Sequence, residues 1–202
     1  MLQKRNAGNG PRAIVVGSGP SARGFEPPDG VTIIAVNGAI EWLSRADYFF
    51  TLDPSAVNLN RLYNPVSGVH YCTAVPESIV LPFHIERFKR ISTRGREPLH
   101  HGSPEWWLWR WSAAKGLSER PDSIHSGNSA YGALGLAYHL GFTDVALVGV
   151  DGTDDPRIEG GMPCNLSHLP LLFASALHQI NVVSCGHLTG IPQQLLEDWL
   201  NG

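Results

Sequence analysis

Three observations predict an α/β protein with a Rossmann-like, doubly wound and mainly parallel sheet. Short β-branched apolar runs recur along the chain, small polar or glycine-rich turns close them, and stretches of helical spacing lie between. Apolar runs without alternation belong to strands covered on both faces. The 202 residues suffice for one substantial core, so the chain reads as a single domain.

Ile14-Val15-Val16 is the first run, and Gly17-Ser18-Gly19-Pro20-Ser21 stops it at once. Glycine permits positive φ and a close approach of ligand to backbone, while Pro20 and Ser21 suit the start of a short helix. At the carboxyl end of a parallel strand, such a turn is expected to aim free N–H groups at a phosphate or nucleotide. A tight turn with no ligand has the same composition, and the spacing is not a full Gly-x-Gly-x-x-Gly. Residues 31–36 form a second apolar run, ended by Asn37-Gly38, and residues 39–45 have helical spacing. Residues 47–52 form a third, closed by Asp53-Pro54-Ser55. The carboxyl ends of these strands are expected to gather Ser18, Asn37 and Asp53 around one crevice.

The middle of the chain is less regular. Residues 69–74 are a candidate strand, and residues 76–102 lose periodicity while carrying Arg87, Lys89, Arg90, Arg94 and Arg96. Residues 104–115 read as a helix capped by Ser103, with Pro104 at its first position. Trp106, Trp107, Trp109 and Trp111 on it cannot all face one narrow core stripe. Segment 56–125 is therefore expected to be an irregular Trp- and Arg-rich insertion, covering the crevice mouth as a lid. Regular patterning returns with a small-residue helix over 128–140, ended by Gly141. A strand over 145–150 leads into Asp151-Gly152-Thr153-Asp154-Asp155. A helix over 170–179, a strand over 181–185 and a closing helix over 192–200 complete the pattern.

Composition excludes several classes. Hydrophobic residues at 43% and charged residues at 16% argue against disorder. A net charge of -3 argues against a general nucleic-acid binder, which needs clustered Lys and Arg. Cys72, Cys164 and Cys185 are odd in number and lack close metal-type spacing, as expected of a reduced, cytoplasmic protein. No apolar run approaches membrane-spanning length, and residues 1–11 do not read as a signal peptide. A homo-oligomer stays open.

Several of these pieces together resemble a known family. Val15-Val16-Gly17-Ser18-Gly19-Pro20-Ser21 resembles the first turn of the bacterial lipooligosaccharide sialyltransferases, which use CMP-sialic acid on a Rossmann-like sheet. Asn37 falls where that family has a nucleotide-binding Asn, and Asp53-Pro54-Ser55 where it reads Asn-Pro-Ser. Ser126-Gly127, a small-residue helix, Gly141-Phe142, a strand and Gly149-Val150-Asp151 resemble its Ser-Gly to Gly-Ile-Asp block. His168 stands at a spacing similar to that of the family's catalytic His. Two Tyr residues that contact the leaving phosphate there have no counterpart in residues 152–162, and Asp53 puts a carboxylate where the family has an amide.

The resemblance implies a glycosyltransferase that takes a nucleotide-activated, CMP-type sugar and a glycan or small-molecule acceptor, with no cofactor. Inverting transfer would use His168 as general base, since imidazole titrates near working pH. Gly17, Ser18, Gly19, Pro20, Ser21, Asn37, Asp53, Ser55, Ser126, Gly127 and Asp151 would hold the nucleotide. The same residues also look like the 6-hydroxymethylpterin diphosphokinase-like proteins, which transfer pyrophosphate from a nucleoside triphosphate. That alternative implies ATP or GTP and a Mg²⁺ ion held by Asp53, Asp151 and Asp154, with Asp155 in reserve. A non-catalytic nucleotide- or protein-binding domain is the third reading.

Overall fold

In the computed structural model, which describes residues 10–202, the strands run in chain order from an interior start. They are β1 (Arg12–Val16), β2 (Thr32–Val36), β3 (Tyr48–Thr51), β4 (His70–Thr73) and β5 (Glu86–Arg87). β6 (Lys89–Ile91), β7 (Ser123–His125), β8 (Asp144–Val148) and β9 (Asn181–Ser184) follow. Seven of them form one sheet in the order β5-β4-β3-β2-β1-β8-β9, and β6 and β7 form a separate two-stranded sheet. Every pairing is parallel. The sheet grows outward from β1 in one direction and then, with β8, in the other. The order thus reverses between β1 and β8, the place where ligands of such sheets bind.

The apolar runs have the cause the sequence suggests. Ala13, Val15, Ile34, Val36, Phe50 and Leu147 face one buried cluster, while Ile14, Val16, Ile33, Ala35, Phe49 and Val148 face another. Successive strand residues point to opposite faces, so a sheet covered on both must be apolar at every position. The first face is covered by α3 (Ser129–His139) and α4 (Leu169–Ala174). The second is covered by Leu62 from α1 (Ala56–Tyr63) and Trp199 from α5 (Leu196–Asn201). Each fully buried Phe contributes about 1.5–3 kcal/mol relative to exposure. Among the described residues no helix is long and apolar enough to cross a membrane.

Helix α3 is built as its sequence suggests. Asn128 caps it, its side chain accepting from Ala130 N at 2.7 Å, and Gly141 ends it at φ +85°. Gly132 lets it approach the sheet so closely that a Cβ there would collide with the Phe50 ring. The 39–45 stretch instead makes a 3-10 turn over Asn37–Glu41, and the last two helices are shorter than expected.

The expected insertion over 56–125 needs correction. Residues 56–87 supply α1, β4 and β5, and β4 pairs with β3, so this stretch extends the main sheet. The Trp-rich helix is α2 (Pro104–Arg110), capped by Ser103 as expected. Its indoles pack on one another and on the loop before it. Trp106 Nε1 donates to Glu97 Oε1 at 2.8 Å and Trp109 Nε1 to Gly95 O at 3.0 Å. Buried indole N–H groups ordinarily find partners; the local loop supplies them for Trp106 and Trp109, while Trp107 Nε1 is buried without one.

Candidate functional site

A crevice opens at the carboxyl edge of the sheet, at the β1/β8 reversal. It is lined by Gly17 to Pro20 after β1, by Val36 and Asn37 at the end of β2, and by Gly149 to Thr153 after β8. Asn128, Ser129 and Ala130 bring the N-terminus of α3 to it, and Asp155, Arg157, Glu159, Pro163, Leu166 and Leu169 close it. No residue of 56–125 lines it, so the cover is the loop after β8 rather than the expected Trp-rich lid.

The glycine turn after β1 is built differently from expectation. Gly17 N donates to Val148 O and Gly19 N to Gly149 O, both at 2.8 Å. Ser21 N donates to Asp151 Oδ2 at 2.9 Å, Ala22 N to Gly19 O at 3.1 Å, and Pro20 has no N–H. Of residues 17–22, only Ser18 keeps a main-chain N–H without a partner. The turn is therefore not an open phosphate cradle. Its glycines are required by backbone crowding, because a Cβ at Gly17 would collide with Gly149 O and one at Gly149 with Gly17 O.

Asp151 is buried and accepts from Ser21 N, the Ser21 hydroxyl and His187 N. It ties the turns after β1, β8 and β9 together. Asn37 has the rare φ of +52° that Asn tolerates better than most residues. Its Oδ1 accepts from Thr51 Oγ1 at 2.7 Å, which fixes the amide and leaves Nδ2 without a protein partner at the crevice wall.

Two side-chain oxygens in the crevice are buried and unpartnered: Ser18 Oγ and Glu159 Oε2. Arg157 and Glu159 both line the crevice, while Ile158 between them, half-buried in the turn closed by Gly160 N and Arg157 O, packs against the second buried cluster. Ile158 N donates to Ser18 O at 2.9 Å, and this strap lies across the glycine turn. The Glu159 carboxylate sits over Gly38, at the end of β2, where a Cβ would strike it. Sequence reading missed Arg157 and Glu159. Their signal was the polar-apolar-polar triplet between Pro156 and Gly160-Gly161.

Five expected nucleotide contacts lie outside the lining: Ser21, which is turned onto Asp151, and Asp53, Ser55, Ser126 and Gly127. The Asp53 carboxylate accepts from Ser55 N, Ser55 Oγ and Asn58 Nδ2 at 2.8–3.0 Å and thereby opens α1. Asp53 and Ser55 do not line the crevice. Ser126 is fully buried, donating from N to Ile91 O and from Oγ to Ser112 O. Gly127 is held at φ +142° against Ala113 and Leu172, behind the crevice wall. The proposed Mg²⁺ ligands also fail to converge. Asp53 belongs to the α1 start, Asp151 has its donors, and Asp154 is exposed and outside the lining.

No protein-family model, curated protein or solved structure matches the chain.

His168 is the largest departure from expectation. It precedes α4, as expected, but is only 1% exposed, while Leu166 and Leu169 line the crevice instead. Its Nε2 is 3.4 Å from Gly127 O, and its Nδ1 is buried without a partner. Burial lowers its pKa, opposed by the Gly127 hydrogen bond, so the ring is neutral at neutral pH. A neutral imidazole has a lone pair to act as base. In this conformation no acceptor hydroxyl in the crevice reaches it.

Proposed function

We propose that the chain binds a nucleotide or nucleotide-activated compound in the crevice at the β1/β8 reversal. The observation that carries this reading is the pair of buried, unpartnered oxygens, Ser18 Oγ and Glu159 Oε2, lining one crevice. Leaving a buried polar atom unpaired costs about 1–3 kcal/mol, so a hydroxyl-bearing ligand that pairs both gains affinity directly. Glu159 only accepts when ionised and Ser18 both donates and accepts, a set that suits ribose or sugar hydroxyls. Asn37 Nδ2 adds a donor for a base or carbonyl. The N-terminal turn of α3 and the Arg157 guanidinium offer the positive end for phosphate.

Group transfer from that compound, with glycosyl transfer first among the options, is the reaction the sequence resemblance suggests. Buried His168 is not positioned as its base, so binding is the part of the reading that the geometry supports. The metal-dependent alternative retains one favourable feature, since Asp155 and Glu159 both line the crevice. A thermal-shift series on the full chain with CMP, CDP, ATP and GTP, each with and without Mg²⁺, separates the readings. Stabilisation by a cytidine nucleotide without metal is the expected result. Stabilisation by ATP or GTP only with Mg²⁺ selects the pyrophosphokinase-like reading, and no shift with any nucleotide overturns nucleotide binding.

A further inference from the structure

The geometry points to a zinc-type divalent-cation site made by His70, Cys72 and Glu86 at the outer edge of the sheet, far along the strand order from the crevice. Among the described residues this is the one group of three His, Cys, Asp or Glu side chains whose ligand atoms all lie within 4.8 Å of one another. The backbone brings them together. His70 and Cys72 are two apart on β4, so their side chains share a face, and Glu86 on β5 is the register partner of Cys72. Glu86 Oε2 lies 2.8 Å from His70 Nε2 and 3.7 Å from Cys72 Sγ. The edge of the Tyr48 ring packs against the imidazole at a centroid distance of 5.6 Å, fixing its orientation from behind.

Zinc bonds of about 2.0–2.3 Å at tetrahedral angles set ligand atoms roughly 3.3–3.6 Å apart. The sulfur–oxygen distance needs to close by about 0.1 Å, and the nitrogen–oxygen distance to open by about 0.5 Å as the cation replaces the shared proton. Both of those side chains are half exposed, which gives them room to move and leaves the fourth position open to water. Thiolate with imidazole and carboxylate selects Zn²⁺ or Co²⁺ over Mg²⁺ or Ca²⁺, which prefer oxygen alone. Binding forms a metal–sulfur bond and releases the thiol proton to solvent, with no change of oxidation state. Burial, and then the Glu86 charge, hold the free thiol protonated, and a cation bound beside it reverses that balance. An exposed His–Glu pair alone contributes little to stability. A shared metal would instead fasten the two-residue edge strand β5 to β4.

The test is Co²⁺ titration of the full chain after treatment with a chelator, followed by near-ultraviolet and visible absorption. The expected result is one Co²⁺ per chain with a thiolate-to-cobalt charge-transfer band, and displacement of that cobalt by Zn²⁺. The band should vanish in Cys72→Ser and persist in Cys164→Ser and Cys185→Ser. Because Cys72 is buried and its replacement could disturb folding, His70→Ala, at an exposed position, provides the second reading. It should weaken Co²⁺ binding at least tenfold with an unchanged melting temperature in the metal-free state. A missing band in the parent chain, a band surviving in Cys72→Ser, its loss in Cys164→Ser or Cys185→Ser, or unchanged affinity in His70→Ala would each overturn the assignment.

Discussion

Ser21 donates both its main-chain N–H and its hydroxyl to the carboxylate of Asp151, which lies 130 residues further along the chain. His187 N adds a third donor at 3.1 Å, and Gly149 N in turn donates to Ser21 Oγ at 3.1 Å. Three loops at the sheet edge are therefore held by one buried carboxylate. Asp151→Ala leaves three donors unpaired and is expected to cost about 3 kcal/mol of stability. Ser21→Ala leaves Asp151 with two donors and is expected to cost about 1–2 kcal/mol. Urea unfolding of both variants measures the pair. A loss below about 1 kcal/mol for Asp151→Ala would mean that the tie is not structural.

Gly149 illustrates crowding rather than flexibility. At φ +66°, an added Cβ would meet Gly17 O and the Ala22 side chain. Gly24 has a similar φ of +74° with nothing near the added atom. Gly24→Ala should therefore cost only the left-handed backbone term, about 1–2 kcal/mol. Gly149→Ala should cost at least about 2 kcal/mol more, since backbone on both sides would have to move. Equal midpoints of the two variants in a denaturant series would contradict the crowding.

The framework strands were legible because burial on both faces writes an uninterrupted apolar run, as in Ile14 to Val16 and Val145 to Val148. β5 and β6 were not, because Glu86-Arg87 and Lys89 to Ile91 are short and polar and lie outside the fully covered centre. The crevice was legible where it is made of strand ends, at Ser18, Asn37 and Asp151. The use of the Gly17 and Gly19 N–H groups was not, since their acceptors are 131 and 130 residues away. Ser126 and Asp53 have the composition of a binding turn, yet their polar atoms are consumed by local caps and by the junction with β6. Motif composition says which groups exist. Only the fold says which remain free.

His168 gives a pH prediction with a definite sign. Its folded-state pKa lies below the ordinary value of about 6.5, so the unfolded chain binds the proton more readily. Stability therefore rises with pH through this window and falls as pH drops below about 6.5. Replacing the ring removes that contribution, so His168→Gln should be less stable at pH 7 but lose less stability between pH 7 and pH 5 than the parent. Melting temperatures of both proteins across this range measure the difference. Parallel curves would mean that the imidazole has the same pKa in the folded and unfolded chain.

The sharpest test of the crevice uses Glu159 and Ser18 together with altered nucleotides. Neither oxygen has a protein partner, so removing one breaks no hydrogen bond within the protein. Glu159→Ala and Ser18→Ala should thus leave the melting temperature nearly unchanged or slightly raised, because a buried unpaired polar atom is lost. Affinity for the nucleotide that scores best in the thermal-shift series should fall about 10–100-fold for Glu159→Ala, the size of a hydrogen bond to a charged group. The same nucleotide without its ribose hydroxyls should bind the parent chain comparably weakly. For that ligand, Glu159→Ala should make no further difference, because hydroxyl and carboxylate form one interaction and a double-mutant cycle counts it once. Isothermal titration of two proteins against two ligands closes the cycle. If the two losses add instead of coinciding, Glu159 does not accept from the ribose, and the sugar end of the ligand must lie elsewhere in the crevice.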